Sequence, residues 1–352
     1  MSDEELNSVG WDAIDQAMEK VYGDQEPKHY GTMISYMLGG NDPLDGISVY
    51  EAKEPMEHWH FVTYGFSELH EKESENLEVS GYGFELTFRL AKKHNETEPP
   101  SWALNFLQNL ARYVFNSGNV FKNGDYMDAN GPICLESDTE LTALAFAYDS
   151  ELPKMDTSNG TVEFIQVVGI TADELEAMQI WNTLGVLHIC TDYMPQLITD
   201  LLRTSCLQND KVVEAIETGS ETEGSNTGFL FNDQITWTPG GKKFFKRIPA
   251  MMTIGAKQAV IIGKVLKGRQ VKEEPLRLVS NEVTVVFSFS DQPQLIEDSL
   301  EIQLNKKAVE ELIEQLQPIE KEFSIPSLEN IAFKIVKTEV KDSEGKIVET
   351  IG

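Results

Sequence analysis

Hydrophobic and polar positions follow two rhythms along this chain, and the places where the rhythm changes mark its elements. Phe84, Leu86, Phe88 and Leu90 alternate with Glu85, Thr87 and Arg89, the period of a strand with one buried face. Beyond the break at Pro99-Pro100, Ser101 is placed to cap a helix. Its apolar positions Phe106, Leu107, Leu110 and Val114 recur at three- and four-residue steps. The loop that follows carries Phe121 and Asp125 among glycines and asparagines, so both are expected at the surface. Upstream, Trp11 to Tyr22 reads as a helix with Trp11, Ile14, Met18 and Val21 on one face. His58 and His60 stand two apart on a further strand and share a face of it.

Downstream, apolar runs at Leu141 to Tyr148 and Val162 to Val168 flank Ser158-Asn159-Gly160-Thr161, whose Asn-Gly pair favours a tight hairpin turn. Thr171-Ala172-Asp173-Glu174 is a capping box opening a helix to about Leu184, with Leu175, Met178 and Trp181 inward. Residues 218–228, rich in Gly, Ser and Thr, read as a linker. After it, Phe229-Leu230-Phe231 is placed along the seam between domains. Ala259 to Lys267 and Glu282 to Phe289 read as strands, and Asn305 caps a helix with Val309, Leu312, Ile313 and Leu316 inward. Ile331 to Val340 is a final strand. The pattern predicts an α+β protein of two domains, residues 1–222 and 223–352, each a mixed or antiparallel sheet with packed helices.

Composition narrows the function classes. With 41% hydrophobic residues among 352, the chain has enough apolar material for two cores. No stretch approaches the roughly 20 apolar residues of a membrane span. The start, Met1-Ser2-Asp3-Glu4-Glu5, lacks the basic and apolar regions of a signal peptide. A cytoplasmic location without membrane contact is expected. Cys134, Cys190 and Cys206 are odd in number and far apart in sequence, which predicts free thiols and neither a disulfide framework nor a zinc site.

Charge narrows the partner classes further. The net charge is −29; residues 1–241 hold 12 basic and 41 acidic residues, whereas residues 242–277 hold 10 basic and 2 acidic ones. Bulk acidity argues against a nucleic-acid binder, which needs a dominant basic surface. It suits a basic protein partner or serves solubility. There is no nucleophile elbow, no His-Glu-x-x-His, no phosphate loop and no kinase signature. His58 and His60 lack an identifiable third ligand, and Asp42 and Asp45 fit Asp-Pro turn chemistry. A non-enzymatic protein without cofactor or metal is expected.

Several of these stretches together resemble the Suppressor of fused family. The similarity is carried by Glu57-His58-Trp59-His60-Phe61-Val62-Thr63-Tyr64-Gly65-Phe66, by Ser80-Gly81-Tyr82-Gly83-Phe84-Glu85-Leu86-Thr87-Phe88-Arg89-Leu90, and by Ala111-Arg112-Tyr113-Val114-Phe115 with its loop through Asp125. Leu38-Gly39-Gly40-Asn41-Asp42-Pro43 upstream and Gln179-Ile180-Trp181-Asn182 downstream extend it. The resemblance implies a binding module. In animal members two domains clamp a short transcription-factor peptide that adds as a strand. The positions that match the family's peptide contacts are Tyr113, Phe121 and Asp125, with Asp149 at a looser spacing. Phe229 and Phe231 open the strand implied to face them. Tyr113 and Phe121 as packing residues, and Asp125 as a turn residue, remain the alternative at this point. The long insertion of animal members is missing between Trp237 and Gly268, which points to a bacterial member. Bacterial relatives are thought to neutralise toxin domains as immunity proteins. A basic toxin domain is therefore one expected partner; an endogenous, transcription-factor-like protein is the other.

Overall fold

The computed structural model describes residues 8–34, 36, 39–135, 137–243, 246–341 and 345–352. Leu38 of the upstream turn motif and the acidic start Met1 to Glu5 lie outside the described residues. The architecture is α+β, in two units. The first runs to Leu175 and resumes over Leu187–Asn209; the second takes Glu176–Val186 and Asp210–Gly352.

In the first unit, α1 (Val9–Tyr22) precedes β1 (Lys28–Gly31), β2 (Gly46–Ala52), β3 (His58–Tyr64) and β4 (Val79–Ala91). Then come α2 (Ser101–Ser117), β5 (Tyr126–Asp128), β6 (Leu141–Tyr148), β7 (Met155–Thr157) and β8 (Gly160–Thr171). These strands form one sheet in the order β1-β2-β3-β4-β8-β6-β5, with β7 paired to β8. All neighbours are antiparallel except β4 and β8, which run parallel. Phe84, Leu86, Phe88 and Leu90 of β4 meet Ala103, Leu107, Leu110 and Val114 of α2 in one core. Burying each large apolar side chain contributes about 1.5–3 kcal/mol. Ser101 is the first residue of α2, and the cap position falls on Pro100 with no side-chain cap. Pro100, extended at φ −70° and ψ 132°, takes the cap position, so Ser101 is already helical and cannot serve as the cap.

The opposite face of this sheet is also covered. Ile14 and Met18 of α1 pack with Tyr50, Val62, Tyr64 and Phe164 in a second cluster. The face of β4 expected in solvent is therefore buried: Glu85, Thr87 and Arg89 are all shut away. The Asn159-Gly160 turn joins β7 to β8, with Thr157 paired to Gly160, while β6 lies antiparallel further along the same edge of β8 and β4 takes the other edge.

Past β8 the chain forms α3 (Ala172–Ile180), α4 (Thr183–Cys190) and α5 (Asp210–Glu223). Half of the capping box is present: the Thr171 amide donates to Glu174 Oε2 at 3.0 Å, whereas the Glu174 amide donates to Asp173 Oδ1 at 3.0 Å and not to the Thr171 hydroxyl. The helix stops at Ile180 and restarts at Thr183, short of the expected single run to Leu184. The expected linker at 218–228 begins as the last turns of α5, so the expected boundary at 222/223 lies within the second unit. Its glycines serve packing: a Cβ on Gly219 would sit 2.4 Å from the Trp181 ring. One on Gly224, at φ 72°, would sit 2.3 Å from the Gly268 carbonyl.

The second unit continues with β9 (Phe229–Phe231), β10 (Thr236–Thr238), β11 (Gly241–Lys243), β12 (Lys246–Ile248), β13 (Ala250–Gly255) and α6 (Ala256–Lys272). It ends with β14 (Leu276–Val279), β15 (Thr284–Phe289), β16 (Gln294–Ile296), β17 (Glu301–Leu304), α7 (Lys306–Gln315), β18 (Lys321–Phe323), β19 (Ile331–Val336), β20 (Thr338–Lys341) and β21 (Ile347–Ile351). A five-stranded sheet, β16-β17-β15-β14-β9, and a four-stranded one, β10-β13-β19-β18, share a core with α6 and α7. The strand expected at Ala259 to Lys267 is the middle of α6. Buried Ala259, Ile262, Val265, Leu266 and Arg269 step by three and four residues, a helical face that the β-branched run Val260-Ile261-Ile262 obscures. Asn305 caps α7 as expected, accepting from the Ala308 amide at 2.9 Å.

Candidate functional site

Three places hold the residues singled out in sequence. The first is the loop after α2. Gly118 closes that helix in the left-handed conformation, its amide bonded to the Val114 carbonyl at 2.8 Å. The loop then turns inward, and Phe121 is only 6% exposed. Its ring stacks on Phe146 with centroids 4.2 Å apart and on Tyr113 at 5.6 Å. The expectation of an exposed Phe121 is thus corrected: an aromatic ring in a polar loop found a slot in the core and fastened the loop. Tyr113 covers it, 40% exposed, with its hydroxyl accepting from Asn119 Nδ2. Asp125 is half-buried and holds a turn. Its Oδ2 accepts from the Lys122 amide at 2.8 Å, and its carbonyl accepts from the Phe146 amide at 3.0 Å.

Asp149 occupies a different environment. It is 5% exposed and buried in the sheet against Arg89 and His60. Arg89 Nη2 donates to both carboxylate oxygens, at 2.8 and 3.1 Å, and Thr87 Oγ1 adds a bond of 2.9 Å. The amides of Glu151 and Leu152 donate to Oδ1. Burial pushes the Asp149 carboxyl up, but His60, 3.2 Å away, and the Arg89 guanidinium outweigh it and hold the group far below its usual range. His60 is itself driven down by burial and then by Arg89, so its ring is neutral, with Nδ1 facing the Tyr22 hydroxyl at 2.8 Å. Burial, with the Arg89 charge, lowers His58 to about 4. Arg89 Nη1 stands 3.4 Å from His58 Nε2, so a fixed cation already occupies the space beside both rings. Such a network orders the strand ends and engages both carboxylate oxygens of Asp149.

Sequence reading missed Arg89 as the centre of this cluster, and it missed Gln196, whose Oε1 lies 3.4 Å from Arg89 Nη1. The available signal was the pairing of a lone Arg inside an apolar strand with a lone Asp ending another. Among the described residues the grouped metal-ligand types are Glu174, Cys190 and Cys206, and no histidine belongs to them.

The third place is β9, the outermost strand of its sheet. It pairs in parallel with β14, through the Gly228 carbonyl and the Asn232 amide. Strand alternation then turns the N–H and C=O of Phe229 and Phe231 to the open side. Leu230 points into the core, whereas the Phe229 and Phe231 rings are 64% and 57% exposed. At the far end of the first unit's sheet, β5 is likewise an edge strand, and it starts immediately after Asp125. No helix among the described residues is long and apolar enough to cross a membrane.

Comparison with known proteins places these features. Residues 40–204 match the Suppressor of fused protein family. Over 235 residues the chain is 36% identical to the human and the mouse Suppressor of fused homologs, covering 62% of this chain and 48% of theirs. It thus spans about half the length of the curated relatives it matches. The crystal structure of Drosophila Suppressor of Fused shares the fold, with a TM-score of 0.78 over 95% of this chain and 99% of that one, at 24% identity. A chain in the crystal structure of the Sufu–Fu complex is 33% identical, with a TM-score of 0.56 over 60% of this chain and 98% of that one. With fold and sequence in agreement across the sheet that carries Arg89, Asp149 and the Phe121 loop, the chain belongs to the Suppressor of fused family.

Proposed function

We propose that this chain is a non-enzymatic protein-binding module that takes up an extended segment of a partner by strand addition. The observation that carries this reading is the β9 edge, where open backbone groups and two exposed aromatic rings, Phe229 and Phe231, stand side by side. Backbone pairing supplies affinity and alternate side chains supply selectivity in that mode of recognition. The relative found in the Sufu–Fu complex supports a protein as the kind of partner. In the first unit, Tyr113 offers the contact surface, Phe121 props its ring, Asp125 fixes the loop that leads into β5, and Asp149 stiffens the sheet from within.

The charge of −29 favours a basic partner. A basic toxin domain, neutralised by a bacterial immunity-type protein, fits that surface through electrostatic steering. Sequestration of an endogenous transcription-factor-like protein is the alternative within the same binding mode. The test is capture from the native host, identification by mass spectrometry, and titration of the recovered partner against wild type and a Phe229→Ala/Phe231→Ala chain. Loss of tenfold or more in affinity at unchanged melting temperature is expected, since truncating exposed aromatic anchors costs about 2 kcal/mol or more. Equal affinity of the two chains overturns the reading. A captured toxin domain whose association slows steeply with added salt selects the immunity role.

A further inference from the structure

Cys190 ends α4, and Cys206 opens a short 3-10 turn capped by Ser205, whose Oγ accepts from the Leu207 amide at 3.1 Å. Both side chains are buried, in the first unit, and both are free thiols. Their sulfur atoms and a carboxylate oxygen of Glu174 all lie within 4.8 Å of one another. A metal is the first thought, and the carboxylate argues against it. Glu174 already accepts from Arg203 Nη1 at 2.7 Å and Nη2 at 2.6 Å, from the Cys206 amide at 2.8 Å and from the Thr171 amide at 3.0 Å. Those donors saturate its oxygens, and the Arg203 cation beside them repels a metal ion. Two sulfurs alone fall short of the three or four protein ligands of a zinc site. What remains is a buried dithiol held at both ends of one segment.

We propose that Cys190 and Cys206 are a modification site: a dithiol that hydrogen peroxide oxidises to an intramolecular disulfide. Cys206 reacts first, because it is the less enclosed of the two. The hydrogen bond with Cys206, and then burial, push the Cys190 thiol up, so Cys190 is the poorer first nucleophile. The Cys206 sulfur attacks one peroxide oxygen; the O–O bond breaks, an S–O bond forms, and one water leaves with the displaced proton. The Cys190 sulfur then attacks the sulfenic sulfur of Cys206; the S–O bond breaks, the S–S bond forms, and the hydroxyl leaves as a second water with the Cys190 proton. The two thiols give up two electrons, and one peroxide becomes two waters.

The bridge closes the segment 191–205. That segment reaches the centre of the sheet: Gln166 Nε2 donates to the Gln196 and Leu197 carbonyls at 2.9 and 3.1 Å, and the Thr199 amide donates to the Arg89 carbonyl at 2.8 Å. Oxidation therefore secures the segment that lies beside the Arg89–Asp149 cluster. Closing a loop of this length raises the melting temperature by roughly 5–10 °C on the chain-entropy account.

The test uses the full reduced chain. It is treated with excess peroxide, quenched, unfolded in iodoacetamide and digested without reductant. A linked peptide joining Cys190 to Cys206 is expected, with Cys134 recovered as the alkylated thiol. The oxidised chain should melt higher, and dithiothreitol should reverse both changes. Recovery of Cys190 and Cys206 as alkylated thiols, or as separate sulfinic acids, overturns the proposal. Cys206→Ala should remove the temperature shift; because the linked peptide is read on the unsubstituted chain, a variant that fails to fold leaves the test intact.

Discussion

Arg89 Nη2 lies 2.8 Å from Asp149 Oδ1 and 3.1 Å from Oδ2, and neither side chain touches solvent. The pair joins the middle of the sheet to the turn after β6, and Glu151 Oε2 adds a second carboxylate 2.8 Å from Arg89 Nη1. Removing Asp149 leaves the buried guanidinium with the partly exposed Glu151 as its remaining counter-ion.

Asp149→Ala should therefore cost about 3–5 kcal/mol of stability, because Arg89 would stay ionised in a buried position with the fully enclosed one of its two carboxylates gone. Urea denaturation measures it. A variant of wild-type stability with weakened partner affinity would assign Asp149 to the partner instead.

Two buried groups on this sheet oppose one another as pH changes. Burial raises Glu85 to about 7 from 4.5, although Ser67 Oγ, the Ser67 amide and Thr63 Oγ1 all donate to it. Between those values the folded chain holds a proton that the unfolded chain has released, so this group's stabilisation declines as pH rises through the window. His58 behaves in reverse, at about 4 folded against 6.5. The unfolded chain takes the proton first, and stability declines as pH falls from 6.5 towards 4. Glu85→Gln should leave the His58 limb uncompensated and steepen the fall in stability on the acid side. Urea midpoints at a series of pH values, compared with wild type, check the slope.

Local signals were legible and long-range ones were not. The strand at Phe84 to Leu90, the Asn305 cap and the Glu174 half of the Thr171–Glu174 box each depend on a few neighbouring residues, and each is present in the structure. The burial of Glu85, Thr87 and Arg89 depends on α1 covering the second face of the sheet, which the period of β4 cannot reveal. Phe121 looked exposed because its neighbours are polar; its stacking partner Phe146 is distant in sequence. Among the candidate site residues, Phe229 and Phe231 stood out in sequence only as a short apolar run. Their rings are exposed because they project from the sheet face opposite the core that Leu230 enters, and their open backbone groups follow from β9 being last in its sheet.

Gly219 illustrates the same limit and yields a sharp expectation. In sequence it sits in a Gly-Ser-Thr stretch that reads as flexible. In the fold, an added Cβ would stand 2.4 Å from the Trp181 ring, whose Nε1 is anchored to Glu223 Oε2 at 2.7 Å. Gly219→Ala has better helix propensity, yet it should destabilise the chain by about 1–3 kcal/mol through overpacking. A rise in thermal stability would show that Trp181 moves aside at little cost.

Proline at position 231 separates the open side of β9 from its paired side. The Phe231 N–H points away from β14, while Leu230 carries the ladder. Phe231→Pro removes one outward donor and one ring without cutting a bond to β14, and edge strands tolerate proline for that reason. Leu230→Pro removes an inward donor and a buried side chain, and should unfold β9. If a partner strand adds at this edge, Phe231→Pro lowers affinity more than Phe231→Ala does, because it takes away a backbone hydrogen bond as well as the ring. The melting temperature of Phe231→Pro should stay within about 1–2 °C of wild type, as for surface substitutions within about 0.5 kcal/mol. Equal affinities for the proline and alanine chains would mean that the partner touches the ring alone, and strand addition at β9 would be ruled out.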